Sequence, residues 1–458
     1  MPNLTQERSA VLALIAPLTL VGGWFVLGAN TNFLAGAFGL ASFAAVLAIL
    51  TLSPPEANIW RALRLPLSFF ALALIWAALP VIIPFDMFPA DRLATDSIAP
   101  RWIGQAAAVA WFAGGAAMGA RPGVGRSAVR LIVILGLLWM AISVALRAAG
   151  ISYVALWGPV SQYSHFALTL RNANTAGTIL AMLSVLACGE FLALAIRFGD
   201  PMHTADRHAA LKLALTLAAF SACAGAIAIT GSRMALVLAG LGVLVLVARR
   251  GGQLWRHGAI VALPALGVLI VPPMLLLLLL GGSVLRKFHG LAGDFNLRVT
   301  DMANFVALSL QKPWFGVGLG NFGLANLSSL TPEDALHRWN FGAAHNVLLN
   351  AAIEGGWPYA LFAAAGVVTA AIPIFSLRDR VAYDVRMVAL CTAVVIGIAA
   401  GLIDIALDVP AMLAFVAWLG GIALSRAIRA RTRMVDWRAR DREGEAQSPY
   451  TQAYPLPH

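Results

Sequence analysis

Three side chains in this sequence suit group transfer from an anionic carrier: Arg233, Arg298 and His345. A guanidinium stays charged at any working pH, and its planar fork donates two parallel hydrogen bonds, a match for phosphate. An imidazole, with an ordinary pKa of roughly 6.5, can take a proton from a hydroxyl near neutral pH. Arg233 lies in Gly231-Ser232-Arg233, a tight turn between two apolar runs, and His345 opens an apolar run after Gly342-Ala343-Ala344. A helix N-terminus disfavours the imidazolium, which would keep His345 neutral and ready as a base. Each residue also has a plainer reading. An arginine beside an apolar run can snorkel and anchor a helix end, and a histidine there can simply hydrogen-bond at the interface.

The elements that must position these residues are membrane spans. The chain has 458 residues, 60% hydrophobic and only 12% charged, with mean hydropathy +0.81. Soluble domains are about a quarter charged, so composition alone indicates a membrane protein. A bilayer core of about 30 Å needs roughly 20 apolar residues per helix. Runs of that kind recur near 10–28, 33–52, 65–83, 102–119, 129–146, 173–196, 209–229, 234–248, 258–281, 345–374, 387–404 and 409–425, about 12 in all. The expected fold is an all-α integral membrane protein, with a polytopic region at 1–425 and a basic, then polar, cytoplasmic tail at 426–458. The first run is full length with others behind it, so it reads as a retained helix rather than a cleaved signal.

Orientation follows from the cations. With the N-terminus inside, 22 of the 32 Lys and Arg fall in cytoplasmic segments, as cationic loops resist translocation. Both termini are then cytoplasmic, and the net charge of +11 needs no nucleic acid. The outer segments include three long loops, 84–101, 147–172 and 282–344. Outer-side arginines run against that bias and call for a function of their own. The longest loop is expected to carry an amphipathic helix over 296–311, from the apolar positions Leu297, Met302, Phe305, Val306, Leu308 and Leu310.

The same loop contains Lys312-Pro313-Trp314-Phe315-Gly316-Val317-Gly318-Leu319-Gly320-Asn321-Phe322-Gly323. It matches GxGxxG literally, but no strand precedes it, which excludes a dinucleotide fold. Its glycines are expected to let the backbone turn tightly and approach a ligand or the membrane surface. Glu354, nine residues past His345, falls about 13 Å deeper on a straight helix and on the opposite face, so it reads as a structural carboxylate. Asp404 and Asp408 flank the last outer turn. They could orient His345 or the arginines, or cap helices, and Pro410 favours capping for Asp408. Cys188, Cys223 and Cys391 sit in apolar runs without metal spacing, and Asp86, Asp91 and Asp96 lack ligand spacing too. No metal and no cofactor are assigned.

In order along the chain, several pieces resemble the O-antigen ligase/polymerase superfamily of bacterial polytopic membrane glycosyltransferases. They are Arg171-Asn172-Ala173-Asn174-Thr175-Ala176-Gly177, Gly231-Ser232-Arg233, Arg298 ahead of Pro313 to Phe322, His345-Asn346, and Glu354-Gly355-Gly356. The resemblance covers most of the chain. It implies a GT-C-like architecture in the inner membrane and metal-independent, inverting transfer of a glycan from undecaprenyl diphosphate at the periplasmic face. Carried over, Arg233 and Arg298 bind the diphosphate and His345 activates the acceptor hydroxyl. Arg171, Asn346 and Asp404 are candidate further substrate contacts. The implied partners are the lipid-linked glycan donor, a lipid A-core or glycan acceptor, and membrane lipids.

Within the superfamily, a short cytoplasmic tail disfavours a protein acceptor. The spacing of the Arg-Arg-His set favours an O-antigen ligase over an O-antigen or exopolysaccharide polymerase. From another class, a polysaccharide or small-solute transporter is the rival. Transporters place sites at the midplane between repeats and on broken helices. No repeat is visible here, although Pro272-Pro273 does interrupt one run.

Overall fold

A computed structural model describes residues 6–83, 96–153, 166–198, 207–255, isolated positions between 266 and 282, 291–376 and 384–446. Most of the run at 258–281, with Pro272-Pro273, lies outside the described residues. So do most of the loop at 84–101, with Asp86 and Asp91, much of that at 147–172, and the end of the tail.

The described chain is helical. The elements are α1 (Gln6–Phe25), α2 (Asn32–Leu52), α3 (Ala57–Ile82), α4 (Ile98–Gly119), α5 (Pro122–Ala148), α6 (Ala173–Phe198) and α7 (Arg207–Thr230). After them come α8 (Arg233–Trp255), α9 (Leu291–Gln311), α10 (Phe322–Ser328), α11 (Pro332–Arg338), α12 (Val347–Phe375), α13 (Val385–Ile403) and α14 (Pro410–Ala446). Among the described residues, nine helices are long and apolar enough to cross a membrane. This is a multi-pass, all-α membrane protein.

The bundle packs around α6, the most deeply buried of those nine spans, which lies against α7, α8 and α13. Small residues allow the close approaches. A Cβ at Gly189 would stand 2.3 Å from the Ala389 Cβ, and one at Gly177 would stand 2.8 Å from the Cβ atoms of Ser232 and Ala235. In a bilayer, such contacts replace the hydrophobic drive that lipid cannot supply between helices. Trp24, Trp139, Phe415 and Trp418 fill the centre of the core.

At one end of the bundle, Glu190 of α6 meets Arg130 of α5 and Arg386 of α13, each at 2.5 Å. Glu56 meets Arg429 of α14 at 2.8 Å. The last helix runs on to Ala446, past the end expected near 425. Its continuation is rich in Arg and Ala, strong helix formers that extend the turn beyond the apolar span.

At the other end, α9, α10 and α11 fold back over the start of α12. Phe305, Leu308, Phe322, Ala325, Ala344, Leu349 and Ile353 form a separate small core there. Arg338 is buried within it, 3.7 Å from Asp301 and stacked over Phe305 at 5.6 Å. Removing one member of a buried pair leaves an uncompensated charge, so Arg338→Leu should cost about 3–5 kcal/mol. The double replacement Arg338→Leu with Asp301→Leu should cost less, and thermal unfolding of the two variants checks this.

The glycine-dense segment is locked to a break in α12. Val317 N donates to Ile353 O at 2.9 Å, Gly318 N to Glu354 O at 2.8 Å, and Trp357 N to Pro313 O at 2.8 Å. Gly356 breaks the helix with φ 81 and ψ 165. The two strands of chain then pass so closely that a Cβ on Gly316 would sit 2.4 Å from Ile353 O, and one on Gly356 2.0 Å from Trp314 O. Trp76 of α3 closes the contact by donating to Trp314 O at 2.8 Å and stacking on Phe315.

Candidate active site

One end of the bundle is assembled from the openings of α6, α8 and α12 and from the connection between α13 and α14. The segment before α6, residues 166–170, is wholly buried. It is pinned by Thr169, whose hydroxyl donates to Trp24 O at 2.7 Å and accepts from Trp139 Nε1 at 2.6 Å. Asn172 caps α6, its Oδ1 accepting from Asn174 N at 2.7 Å and Thr175 N at 2.9 Å. Arg171 therefore stands just outside the cap, with its Nε buried and lacking a hydrogen-bond partner. Ser232 opens α8, its Oγ accepting from Ala235 N at 3.3 Å, and sets Arg233 at the first position. Gly177 of α6 packs against Ser232, so these two openings are adjacent.

His345 stands immediately before the cap of α12. Asn346 caps the helix through Leu348 N and Leu349 N at 3.0 and 3.1 Å, and donates to Leu402 O at 2.8 Å. Asn350 Oδ1 accepts from Ala344 N at 3.1 Å. Between these two anchors His345 adopts φ 52, a left-handed conformation that a residue with a Cβ holds only when its surroundings impose it. Phe341 packs against its ring at 4.8 Å.

The ring then meets Asp404. His345 Nδ1 lies 3.2 Å from Asp404 Oδ1, with the imidazole side chain 31% exposed and the carboxylate 4%. Asp404 also accepts from Ile405 N through Oδ1 at 2.7 Å and from Asn174 Nδ2 through Oδ2 at 2.6 Å. A buried carboxylate at Nδ1 fixes the Nδ1–H tautomer. Nε2 then keeps its lone pair. Such a pair can take a proton from a hydroxyl and stabilise the imidazolium that results.

Other expected residues divide. Arg298 lies in α9, but its side chain is outside the described residues. Arg101 donates to Asp408 O at 3.2 Å and Asn30 Oδ1 at 3.3 Å, and Arg147 stacks on Phe166 at 5.0 Å. With Arg338, these are structural cations. Glu354 accepts from Phe322 N at 3.3 Å and so supports the start of α10.

Asp408 is not the cap that Pro410 suggests. The first turn of α14 hangs from Val409 O, which accepts from Met412 N and Leu413 N, and Asp408 Oδ2 is buried without a hydrogen-bond partner. Burial, with the Glu354 and Asp404 carboxylates nearby, pushes Asp408 from 3.8 up to about 8, against the pull of Arg101. A raised folded-state value means the folded protein holds the extra proton, so stability falls as pH rises between those two values. Asp408→Asn should flatten that fall and raise the melting temperature most at pH 8, as thermal unfolding across pH 5–8 will read.

Asn174 and Asp301 carry little local signal of their roles. Asn174 lies in a recognisable Asn-rich opening, but its partner is 230 positions away, and Asp301 looks like one more polar residue on an amphipathic helix.

These features define a multi-pass membrane protein with a buried-carboxylate–histidine pair at one end of its bundle. Residues 218–364 match the family model Wzy_C, O-antigen ligase. The match takes in Arg233, Arg298 and His345, and supports the resemblance of this segment to the O-antigen ligase/polymerase superfamily. No curated protein matches the chain.

Proposed function

We propose that the protein transfers a glycan from undecaprenyl diphosphate to an acceptor hydroxyl at the periplasmic face of the bacterial inner membrane, as an O-antigen ligase with lipid A-core as acceptor. The observation that carries this is the His345 Nδ1–Asp404 contact of 3.2 Å, at the bundle end that also receives Arg171 and Arg233. The bias of 22 of 32 cations to the opposite side supports a periplasmic position for that end and cytoplasmic termini.

In this reaction the acceptor oxygen attacks the anomeric carbon of the donor sugar from the face opposite the diphosphate. A new C–O bond forms, the bond to the diphosphate oxygen breaks, and the configuration inverts. His345 Nε2 takes the hydroxyl proton, and Asp404 balances the imidazolium. The leaving diphosphate departs with the bonding electron pair, stabilised by Arg233 and Arg298, with Arg171 as a further contact. Fixed guanidinium groups aimed at developing charge perform the task that a metal ion does elsewhere. Asn346 caps the helix that presents His345.

The test is transfer by purified protein with lipid-linked glycan donor and EDTA. Product on lipid A-core is the expected result. Product only on the ends of a second lipid-linked glycan would make the protein a polymerase, and no product on either acceptor would overturn the glycosyltransferase reading.

A further inference from the structure

The hydrogen bond between Asn174 and Asp404 joins the most buried helix to the carboxylate behind the histidine. Building on the transferase reading above, we propose that Asn174 is a positioning residue for the reaction: its amide holds Asp404 in the orientation that meets His345 Nδ1.

Asn174 itself stands on a rigid base. Its backbone N–H is taken by Asn172 and its carbonyl by the Thr178 hydroxyl at 2.8 Å, while the preceding segment is tied into the core through Thr169. Asp404, by contrast, is the C-cap of α13 in an extended conformation, φ −153 and ψ −179. Its side-chain torsion needs an outside restraint. Ile405 N restrains Oδ1, the oxygen that also faces the imidazole, and Asn174 Nδ2 at 2.6 Å restrains Oδ2. Two donors on different oxygens fix the carboxylate plane.

The chemistry of the donor matters. An amide hydrogen bond favours the ionised carboxylate without adding a countercharge. A lysine or arginine at 174 would form an ion pair and draw the carboxylate away from the ring. A plainer role, tying α6 to α13, is already filled. Gly189 packs on Ala389 and Glu190 bridges to Arg386 lower in the same interface. The titratable or charged groups on the elements packed here are His345 before α12 and Asp408 on the α13–α14 connection, with Arg171 before the cap of α6 and Arg233 at the adjacent opening of α8.

The experiment measures kcat and KM for glycan transfer by wild type, Asn174→Leu, Asn174→Asp and the same leucine change in an Asp404→Asn background. Asn174→Leu should lower kcat by on the order of 10–100-fold with donor KM unchanged, since loss of orientation rather than of binding is at stake. In the Asp404→Asn background it should change kcat by less than about twofold, because both act on one unit. Asn174→Asp should approach wild type as pH falls, when a protonated carboxyl can donate to Asp404, and diverge as pH rises and two carboxylates repel. A purely structural tie predicts no such pH-dependent recovery.

Independently of substrate, 15N NMR of histidine-labelled protein should show the His345 ring leaving the Nδ1–H form in Asn174→Leu. Inactive wild type with that tautomer change would sink the transferase reading and keep the positioning role. Wild-type kcat and tautomer in Asn174→Leu, or a flat ratio of Asn174→Asp to wild type across pH, would overturn the proposal.

Discussion

Asp404→Asn is expected to lower the rate of glycan transfer by on the order of 10²–10⁴ without unfolding the protein. The substitution conserves shape and keeps an oxygen that can accept from Asn174 Nδ2. However, the amide can turn its NH₂ toward His345, which favours the tautomer with its proton on Nε2. The base would then present a proton where it must accept one. It would also lose the negative charge that balances the imidazolium at 3.2 Å. His345→Ala should fall by a comparable factor, and the double variant should be little worse than either single one, because the two residues act as a unit. Donor KM should hold, since the diphosphate is assigned to Arg233 and Arg298. Transfer kinetics at equal folded amounts read all three; losses that multiply in the double variant would show that the residues act separately.

The second large effect is structural. Gly356→Ala should destabilise the protein by more than about 3 kcal/mol and free the segment around Trp314. Its φ of 81 with ψ of 165 is a backbone region open to essentially glycine alone. A Cβ there would also stand 2.0 Å from Trp314 O, a backbone atom that cannot move without releasing the bond from Trp76. Gly240→Ala in α8 is the control, as nothing lies within 4 Å of the added atom. It should be neutral or gain up to about 1 kcal/mol from better helix propensity. Thermal unfolding separates the two, and protease cleavage near Trp314 in Gly356→Ala alone would locate the damage. Equal melting temperatures for both variants would mean that the break in α12 is not fixed by the loop.

The contrast between these two glycines shows where the sequence was legible. Apolar runs and their lengths announced the spans, because a bilayer imposes one length and one composition on every helix that crosses it. The helix over 291–311 was partly visible for a related reason: its apolar positions recur at helical spacing. Glycine density at 312–323 signalled a tight turn. What the turn packs against was not visible, because the break at Gly356 and the segment at 313–318 form only together. Similarly, His345 stood out by type and place, whereas Asn174 and Asp404 meet through packing of α6 against α13. No local pattern encodes that meeting. Asp408 shows the opposite failure. Its spacing to Pro410 suited a cap, but Val409 took that place and left the carboxylate buried.

His345 is proposed to activate the acceptor while the carrier diphosphate leaves. The most direct measurement supplies purified protein with acceptor and a labelled glycan on undecaprenyl diphosphate, in EDTA. It follows both the glycosylated acceptor and the free undecaprenyl diphosphate. Wild type should release the two in equal amounts, and His345→Ala, folded to the same extent, should release almost none of either. Equal release by His345→Ala and wild type would contradict the role assigned to His345.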